Sequence, residues 1–279
     1  YACSAWLSAA DGDLDPSFGS AGNGIVDIDF PDSDNDSVDN LLQTAGGALL
    51  GMGEAASNGS FVLGGVQLTA DGSLDASFGD GGFGKIVDRR LATNSGGTAT
   101  VRGNGQIVVA VKQEDDYFGA SVFSADFNTI DAEDFTLNGG VGSGFSPSKT
   151  KLALDAADDS VLILACSDSG DVDIWRYEAS PSQTGPESRS HITQTDAVSC
   201  GGVPAVGLQS TRSIVVAFNS GFGFRTDLST LKVIRYNADG SQNGDFGSAG
   251  ASTIGVPSLF TKILIQAMAV QPDDSIVMA

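Results

Sequence analysis

Residues 69–84 read TADGSLDASFGDGGFG, and this glycine-rich and aspartate-rich pattern occurs twice more in the chain. The other copies are AADGDLDPSFGSAGNG at residues 9–24 and NADGSQNGDFGSAGAS at residues 237–252. Apolar runs precede the copies at residues 69–84 and 237–252. We therefore interpret the pattern, here called the corner motif, as a strand end followed by a tight turn. Because the corner motif occurs three times, the chain is predicted to consist of repeated units.

A second pattern, a polar turn followed by an apolar run, gives the period of the repeat. Five copies occur, and their first apolar residues are separated by 58, 54, 53 and 62 residues. The phenylalanine of the corner motif recurs independently, with gaps of 60, 57 and 111 residues, the last spanning two periods. The shared period of about 57 predicts tandem structural units. The anchors of the apolar runs are Leu49, Ile107, Val161, Ile214 and Ile276, and the phenylalanines are Phe18, Phe78, Phe135 and Phe246.

Each unit is predicted to be a small antiparallel sheet. The apolar runs are short, rich in Val, Ile and Leu, and separated by Asp-Gly, Asn-Gly and Gly-Gly turns. Residues 204–250 contain four of them, namely PAVGLQ, SIVVAF, LKVIRYN and a weak fourth after FGSAG. No stretch shows a sustained helical period. The predicted fold is therefore all-β, a single β-propeller with five four-stranded blades of about 57 residues.

The two ends of the chain are expected to share one blade. YACSAWLSAADG matches a third strand with its corner, and AMAVQPDDSIVMA matches the first two strands of a unit. A ring closed by strands from both termini would leave no exposed sheet edge. One domain over residues 1–279 is predicted, with units at roughly 39–95, 96–148, 149–200 and 201–256, and a last unit at 257–279 completed by 1–38. A segment cut from a longer repeat array is the open alternative.

The motifs RYNADGSQNGDFG, QLTADGSLDASFGDGGFG and AVQPDDSIVMA resemble the delta-60 repeat family of bacterial proteins. The resemblance touches all five units and is weakest between residues 120 and 200. It implies a β-propeller in a secreted or surface protein, and it implies no known catalytic residues.

The corner residues are expected to be structural. An Asp-Gly pair suits a turn that needs positive φ, the next aspartate can accept backbone hydrogen bonds, and the phenylalanine would fill the seam between blades. A repeated ligand site is the alternative interpretation. The residues concerned are Asp11, Gly12, Asp15 and Phe18, then Asp71, Gly72, Asp75 and Phe78, and finally Asp239, Gly240 and Phe246.

Charge limits the classes of partner. The chain has 279 residues, with 14 lysines and arginines against 35 acidic residues, for a net charge of -21. Such a surface repels nucleic acid and anionic lipid, and no apolar run reaches the roughly 18 residues of a membrane span. The chain starts at Tyr1 rather than Met, which we interpret as processing. An extracellular or cell-surface protein is expected, and self-assembly is compatible with this composition.

Metal and catalytic motifs are sparse. Asp32, Asp34 and Asp36 alternate as in the start of a calcium loop, but Ser37 and Gln43 stand where an EF-hand needs glycine and glutamate. A looser calcium loop and a solvated acidic loop both stay open; no other cofactor is expected. One histidine and three cysteines exclude a common zinc site, and no G-x-S-x-G motif occurs. No catalytic residue is predicted.

Two cysteines are candidates for a disulfide. Cys166 ends a predicted second strand, and Cys200 precedes the first strand of the next unit. In an up-and-down blade these positions lie on the same face, so a Cys166–Cys200 bond is predicted for an oxidising compartment. Cys3 has no evident partner and is expected to be a free, buried thiol.

Two functional hypotheses follow. The first is a non-catalytic secreted propeller for binding, adhesion or assembly, with an unidentified protein or glycan partner. The alternative is a carbohydrate-active enzyme on a five-bladed ring, which would need two carboxylates roughly 5 to 9.5 Å apart in a central cleft. Strong internal repetition favours the binding module.

Overall fold

The computed structural model describes residues 13–31, 36–57, 60–86, 98–112, 118–128, 135–136, 145–167, 172–177, 189–195, 204–219, 230–255, 265 and 267–279. Within these ranges the chain forms eighteen β-strands and no helix. Because no described helix exists, none is long and apolar enough to cross a membrane. The all-β class predicted from the sequence is confirmed.

The strands form five antiparallel sheets in chain order, here called sheets I to V. Sheet I contains β1 (Asp36–Gln43), β2 (Leu49–Ser57), β3 (Ser60–Leu68) and β4 (Phe83–Ile86). Sheet II contains β5 (Ala99–Val101), β6 (Ile107–Lys112), β7 (Phe118–Phe123) and β8 (Phe135–Thr136). Sheet III contains β9 (Phe145–Asp155), β10 (Ser160–Ser167), β11 (Val172–Tyr177) and β12 (Arg189–Thr195). Sheet IV contains β13 (Ala205–Leu208), β14 (Ile214–Asn219), β15 (Thr230–Tyr236) and β16 (Ala251–Gly255), and sheet V contains β17 (Met268–Val270) and β18 (Ile276–Met278).

The second strand of each four-stranded sheet is apolar on both faces because both faces are covered by protein. In β14 every residue is buried, and Ile214 and Val216 pack towards sheet III while Val215 and Ala217 pack towards sheet V. Continuous runs such as IVVAF are typical of strands buried on both sides. The apolar runs that gave the sequence its period are therefore the central strands of the stack.

Consecutive sheets pack face to face through four buried junctions. One cluster joins sheets I and II, and others join II to III, III to IV and IV to V. A fifth cluster is different, since residues 18–30 cover the outer half of sheet I around Ala55, Val62 and Val66. Every sheet thus buries apolar surface against its neighbours in the chain.

The first strands of consecutive sheets lie next to one another and form the inner strands of the stack. Residues of β1 approach β5, β5 approaches β9, β9 approaches β13, and β13 approaches β17, with Cα atoms within 8 Å. Sheets that radiate from adjacent inner strands have a propeller-like arrangement. The described strands do not form a closed ring, because sheet V has two strands and no junction joins it to sheet I.

Candidate functional site

The corner motifs use their aspartates to organise turns. At residues 69–82 the Asp71 carboxylate accepts hydrogen bonds from the Thr69 hydroxyl and the Ser73 N–H, and Gly72 has a φ of +84°. The Asp75 carboxylate accepts from the Ser77 N–H at 3.0 Å. The copies at Asp15 and Asp239 accept in the same way from the serine two residues later. Asp11 and Gly12 lie outside the described residues.

These hydrogen bonds also set the charge of the corner carboxylates. The hydrogen bond from Thr69 lowers the pKa of Asp71, and the hydrogen bond from Ser77 lowers the pKa of Asp75. A carboxylate that accepts several hydrogen bonds is held ionised. General acids in glycoside cleavage need a raised pKa, so this geometry does not suit them.

The corners also join neighbouring units. The Gly19 N–H donates to the Asp71 carbonyl at 2.7 Å, and the Gly79 N–H donates to the Asp126 carbonyl at 2.8 Å. Phe78 is 1% exposed and packs into the junction between sheets I and II. Phe18 packs against sheet I, and Phe246 packs into the junction of sheets IV and V, under the guanidinium of Arg235.

A second group of charges lies at the hairpins between first and second strands. Arg176 Nη1 and Arg212 Nε each lie 2.7 Å from Asp155 Oδ2, and Arg212 also bonds Asp158. Arg212 belongs to the hairpin of sheet IV, whereas both carboxylates belong to the hairpin of sheet III. Asp274 continues this pattern by accepting from the Ser210 N–H at 2.6 Å.

The pair Asp155 and Asp158 does not suit acid–base chemistry. Burial alone would raise the pKa of Asp155, but hydrogen bonds from Arg176 and Arg212 outweigh burial and lower it. The pKa of Asp158 is lowered in the same way, by hydrogen bonds from Ser160 and Arg212 that outweigh burial. Two carboxylates clamped by arginine are ion-pair partners that connect sheets III and IV.

The inner strands place a different set of residues at one height around the centre. Each lies opposite the residue three positions after the anchor of its unit, at Met52, Ala110, Leu164, Ala217 and Ala279. We call this set the central level. It comprises Asn40 with the preceding Asp39, Thr98, Lys151, Ala205 and Ala267.

Asp39 and Lys151 are the charged members of the central level. The pairing of β1 with β2 shifts between Val38 and Asn40, so Asp39 is the extra residue of a β-bulge. Bulges are frequent beside active sites, where they redirect a side chain. Burial lowers the pKa of the half-buried Lys151, and the charge of Asp39 opposes that effect.

The next level towards the hairpins is entirely apolar. Its residues lie opposite the residue two positions after each anchor, and four of the five pack into sheet junctions. The exception is Leu41, which is 69% exposed. The residues are Leu41, Ala99, Leu152, Val206 and Met268.

The calcium loop proposed from the sequence is only partly described. Asp32 and Asp34 lie outside the described residues, and the Asp36 carboxylate accepts from the Phe30 N–H at 3.4 Å. Among the described residues no three metal-ligating side chains come together. Cys166 lies in β10, whereas Cys3 and Cys200 are outside the described ranges, so the disulfide stays a prediction.

Sequence reasoning missed Asp39 and Lys151. The acidic run that contains Asp39 was treated as a loop, and the inner strands were not compared with one another. The available signal was an alignment of first strands on the anchors, which places a lysine in one unit where the others carry asparagine, threonine or alanine.

No family model matches the chain, and no curated protein matches it. The solved structures that it resembles include an alpha-L-arabinofuranosidase from Podospora anserina in complex with cellotriose, at a TM-score of 0.41 and 11% identity over 74% of this chain and 65% of that one. A second is the catalytic domain of a GH62 alpha-L-arabinofuranosidase from Coprinopsis cinerea, at 0.38 and 9%, over 85% and 93% of the two chains. A third is an engineered GH43 glycoside hydrolase with endo-xylanase and exo-arabinofuranosidase activity, at 0.42 and 10%, over 92% and 47%.

These comparisons correct one expectation. All three similar structures are glycoside hydrolases, which contradicts the interpretation of this chain as a non-catalytic module for binding, adhesion or assembly. Low identity limits the likeness to architecture, and no residue role is transferred from those enzymes. The first of them extends beyond the matched region, since the chain spans 65% of its length.

Proposed function

We propose that the protein is an extracellular carbohydrate-active enzyme that cleaves glycosidic bonds at the central level. The observation that carries this proposal is that Asp39, at a β-bulge of β1, and Lys151, on β9, lie at the same level of the inner strands. Asp39 is exposed, unlike the arginine-clamped Asp155. A solvent-accessible carboxylate can bind a sugar and act on it.

In the proposed reaction the bond between the anomeric carbon and the leaving oxygen breaks. A water oxygen bonds to the anomeric carbon, and a proton goes to the leaving oxygen, so hydrolysis needs no other co-reactant. Asp39 is the carboxylate assigned to activate water or to stabilise the positive charge that develops on the sugar, and a second carboxyl group supplies the proton. Lys151 donates to a sugar hydroxyl.

The finer architecture in this proposal is a ring of five blades. The residue after each anchor, at Leu50, Val108, Leu162 and Val215, is fully buried against the next sheet, whereas its counterpart Val277 is 49% exposed. On sheet I, Val38 and Leu41 are 49% and 69% exposed. The face of sheet V at Val277 and the face of sheet I at Val38 and Leu41 correspond to the two faces that meet at each of the other four junctions. We propose that these two faces pack together and close the ring.

The activity is tested with purified protein and a panel of arabinan, arabinoxylan, xylan and pectin, by measuring released reducing ends. The expected result is hydrolysis of at least one polymer and a loss of at least 100-fold in rate for Asp39→Asn, in the range that removal of a positioned catalytic group costs. Asp245→Asn is the matched control, since it removes the same charge from an exposed corner. Equal rates for the two variants would contradict the assignment of Asp39.

A further inference from the structure

The β-bulge at Asp39 lies against a glycine of the neighbouring strand. Val38 lies opposite Gly53, and Asn40 lies opposite Met52. These two partners are consecutive in β2, so Asp39 is the extra residue between them. An extra residue of this kind stays outside the ladder, and its side chain turns in a new direction. Asp39 is exposed at this point of the inner strand.

The backbone of β1 occupies the place where a side chain on Gly53 would begin. A Cβ on Gly53 would lie 2.0 Å from the Ser37 carbonyl oxygen and 3.0 Å from the Val38 Cα. Both atoms belong to the backbone, which cannot rotate aside as the end of a side chain can. Glycine is the residue that permits such a close approach of another backbone. In the bulged geometry, therefore, only glycine fits at Gly53.

Of the four-stranded sheets, sheet I alone has glycine at this position. The position is the fourth after the anchor, and Val111, Ala165 and Phe218 occupy it in sheets II, III and IV. In sheet III the ladder is regular up to Ala165, which lies opposite Thr150. A first strand can therefore pair regularly with a residue that carries a Cβ here, and in sheet I the glycine coincides with the bulge.

The bulge also decides which face of sheet I carries Val38. Residues three apart in a regular strand point to opposite faces. Val38 and Leu41 instead lie opposite Gly53 and Gly51, two residues on one face of β2. In a β1 without the bulge, Asp39 would lie opposite Gly53, and Val38 would move to the other face. Loss of the bulge would thus redirect both side chains.

We infer that Gly53 is a positioning residue, because the space above it holds the bulge and the bulge directs Asp39. Gly53 acts through Asp39 and touches no reacting group itself. The consequence for activity rests on the proposed function. The dependence of the bulge on Gly53 does not, and it can be measured without a substrate.

Thermal unfolding tests the bulge directly. Gly53→Ala should lower the Tm of the unmodified protein by about 3 °C or more, as expected for an overpacked site. Deletion of Asp39 gives β1 a regular ladder, and in that background Gly53→Ala should change the Tm by less than about 1 °C. Gly51→Ala is the matched control, since its Cβ would meet side-chain atoms of Val66 and Val38, the nearest at 3.1 Å. It should give the same shift in both backgrounds.

Hydrolysis rates connect the bulge to the proposed function. Gly53→Ala keeps the Asp39 carboxylate but moves it, so kcat should fall at least about 10-fold while KM stays within about 3-fold. In the Asp39→Asn background the same substitution should cause no further loss, because the group that it positions is already absent. A merely structural effect would lower kcat in both backgrounds. Gly51→Ala should leave kcat within about 2-fold.

Failure of the positioning role and failure of the proposed function give different results. Equal Tm shifts for Gly53→Ala with and without Asp39 would overturn the inference, as would failure to fold in both backgrounds. If Gly53→Ala folds only when Asp39 is deleted, the bulge assignment is supported. Coupling in Tm without hydrolysis of any polymer would keep that assignment and remove the enzyme. An equal fall in kcat in both Asp39 backgrounds would keep the enzyme and remove the positioning role.

Discussion

Phe78 and Phe127 stack across the junction of sheets I and II, with ring centroids 5.6 Å apart and planes inclined by 11°. Phe127 has a φ of +59°, and glycine holds its position in other corners, as Gly72 and Gly240 show with φ of +84° and +86°. A Cβ on Gly84 would come within 2.2 Å of the Phe127 ring. The phenylalanine therefore occupies the space that a glycine leaves open, despite a backbone conformation unfavourable to it.

The phenylalanine pair predicts a large loss of stability on truncation. Phe78→Ala should lower the free energy of unfolding by about 3 to 5 kcal/mol, because it opens a cavity at a site that is 1% exposed. Phe127→Ala should lower it similarly. Urea denaturation of both single variants and the double variant measures the coupling. If the loss in free energy of unfolding of the double variant equalled the sum of the losses of the two single variants, the rings would contribute independently.

Substitutions in the ion-pair group formed by Asp155, Asp158, Arg176 and Arg212 are predicted to lower the stability by unequal amounts. Asp155→Ala should lower the free energy of unfolding by about 3 to 5 kcal/mol, because it leaves the buried Arg176 without its main charge partner. Arg212→Gly should cost less than about 1 kcal/mol, since Arg212 is 38% exposed and glycine relieves its φ of +63°. Urea denaturation ranks them, and a larger cost for Arg212→Gly would contradict this assignment.

The corner aspartates predict instability in acid. Hydrogen bonds, chiefly from Thr69 to Asp71 and from Ser77 to Asp75, lower the pKa in the folded state below the unfolded value of about 3.9. Their stabilisation is present above the unfolded pKa and is lost as the pH falls through the folded pKa. Asp15, Asp126, Asp239 and Asp273 are shifted in the same direction.

Urea titrations between pH 7 and pH 2.5 measure this loss. The free energy of unfolding should fall steeply below about pH 4. Asp71→Asn should be less stable than the unmodified protein at pH 7, and the two should converge at the acid end. A constant difference across this pH range would mean that the Asp71 hydrogen bonds do not depend on its charge.

If the ring is closed, a charge introduced at Val277 should destabilise the protein. Val277→Asp should lower the free energy of unfolding by at least about 2 kcal/mol, because closure would bury the carboxylate against sheet I. Ile25→Asp is the control, since Ile25 is 48% exposed and lies in the segment over the outer part of sheet I. Equal effects of the two substitutions would argue against closure, and sedimentation would reveal a head-to-tail assembly in its place.

The predicted disulfide is tested by mass spectrometry of a non-reduced digest. Cys166 and Cys200 should be recovered in one linked peptide pair, and the bond would close a loop of 34 residues worth roughly 3 to 4 kcal/mol in the entropic account. Cys3 should be recovered as a free thiol. Recovery of Cys166 as a free thiol would eliminate the pairing.

Local patterns were sufficient to predict the strands. In sheet IV the four predicted runs correspond to β13, β14, β15 and β16. The QPDDSIVMA segment forms the hairpin between β17 and β18 as expected. Apolar runs and turn residues act over a few positions, so one sequence displays them directly. No family model tests the delta-60 resemblance, which stays a prediction.

The period of about 57 residues, the all-β class and the corner turns follow from the sequence by itself, because each depends on residues close together along the chain. Only the tertiary structure decided which side chains meet across sheets. It brings Lys151 to the height of Asp39, clamps Asp155 with Arg212, and seats Phe127 against Phe78. These contacts join residues of different units, and their geometry depends on how the sheets pack around one centre, which no local pattern encodes.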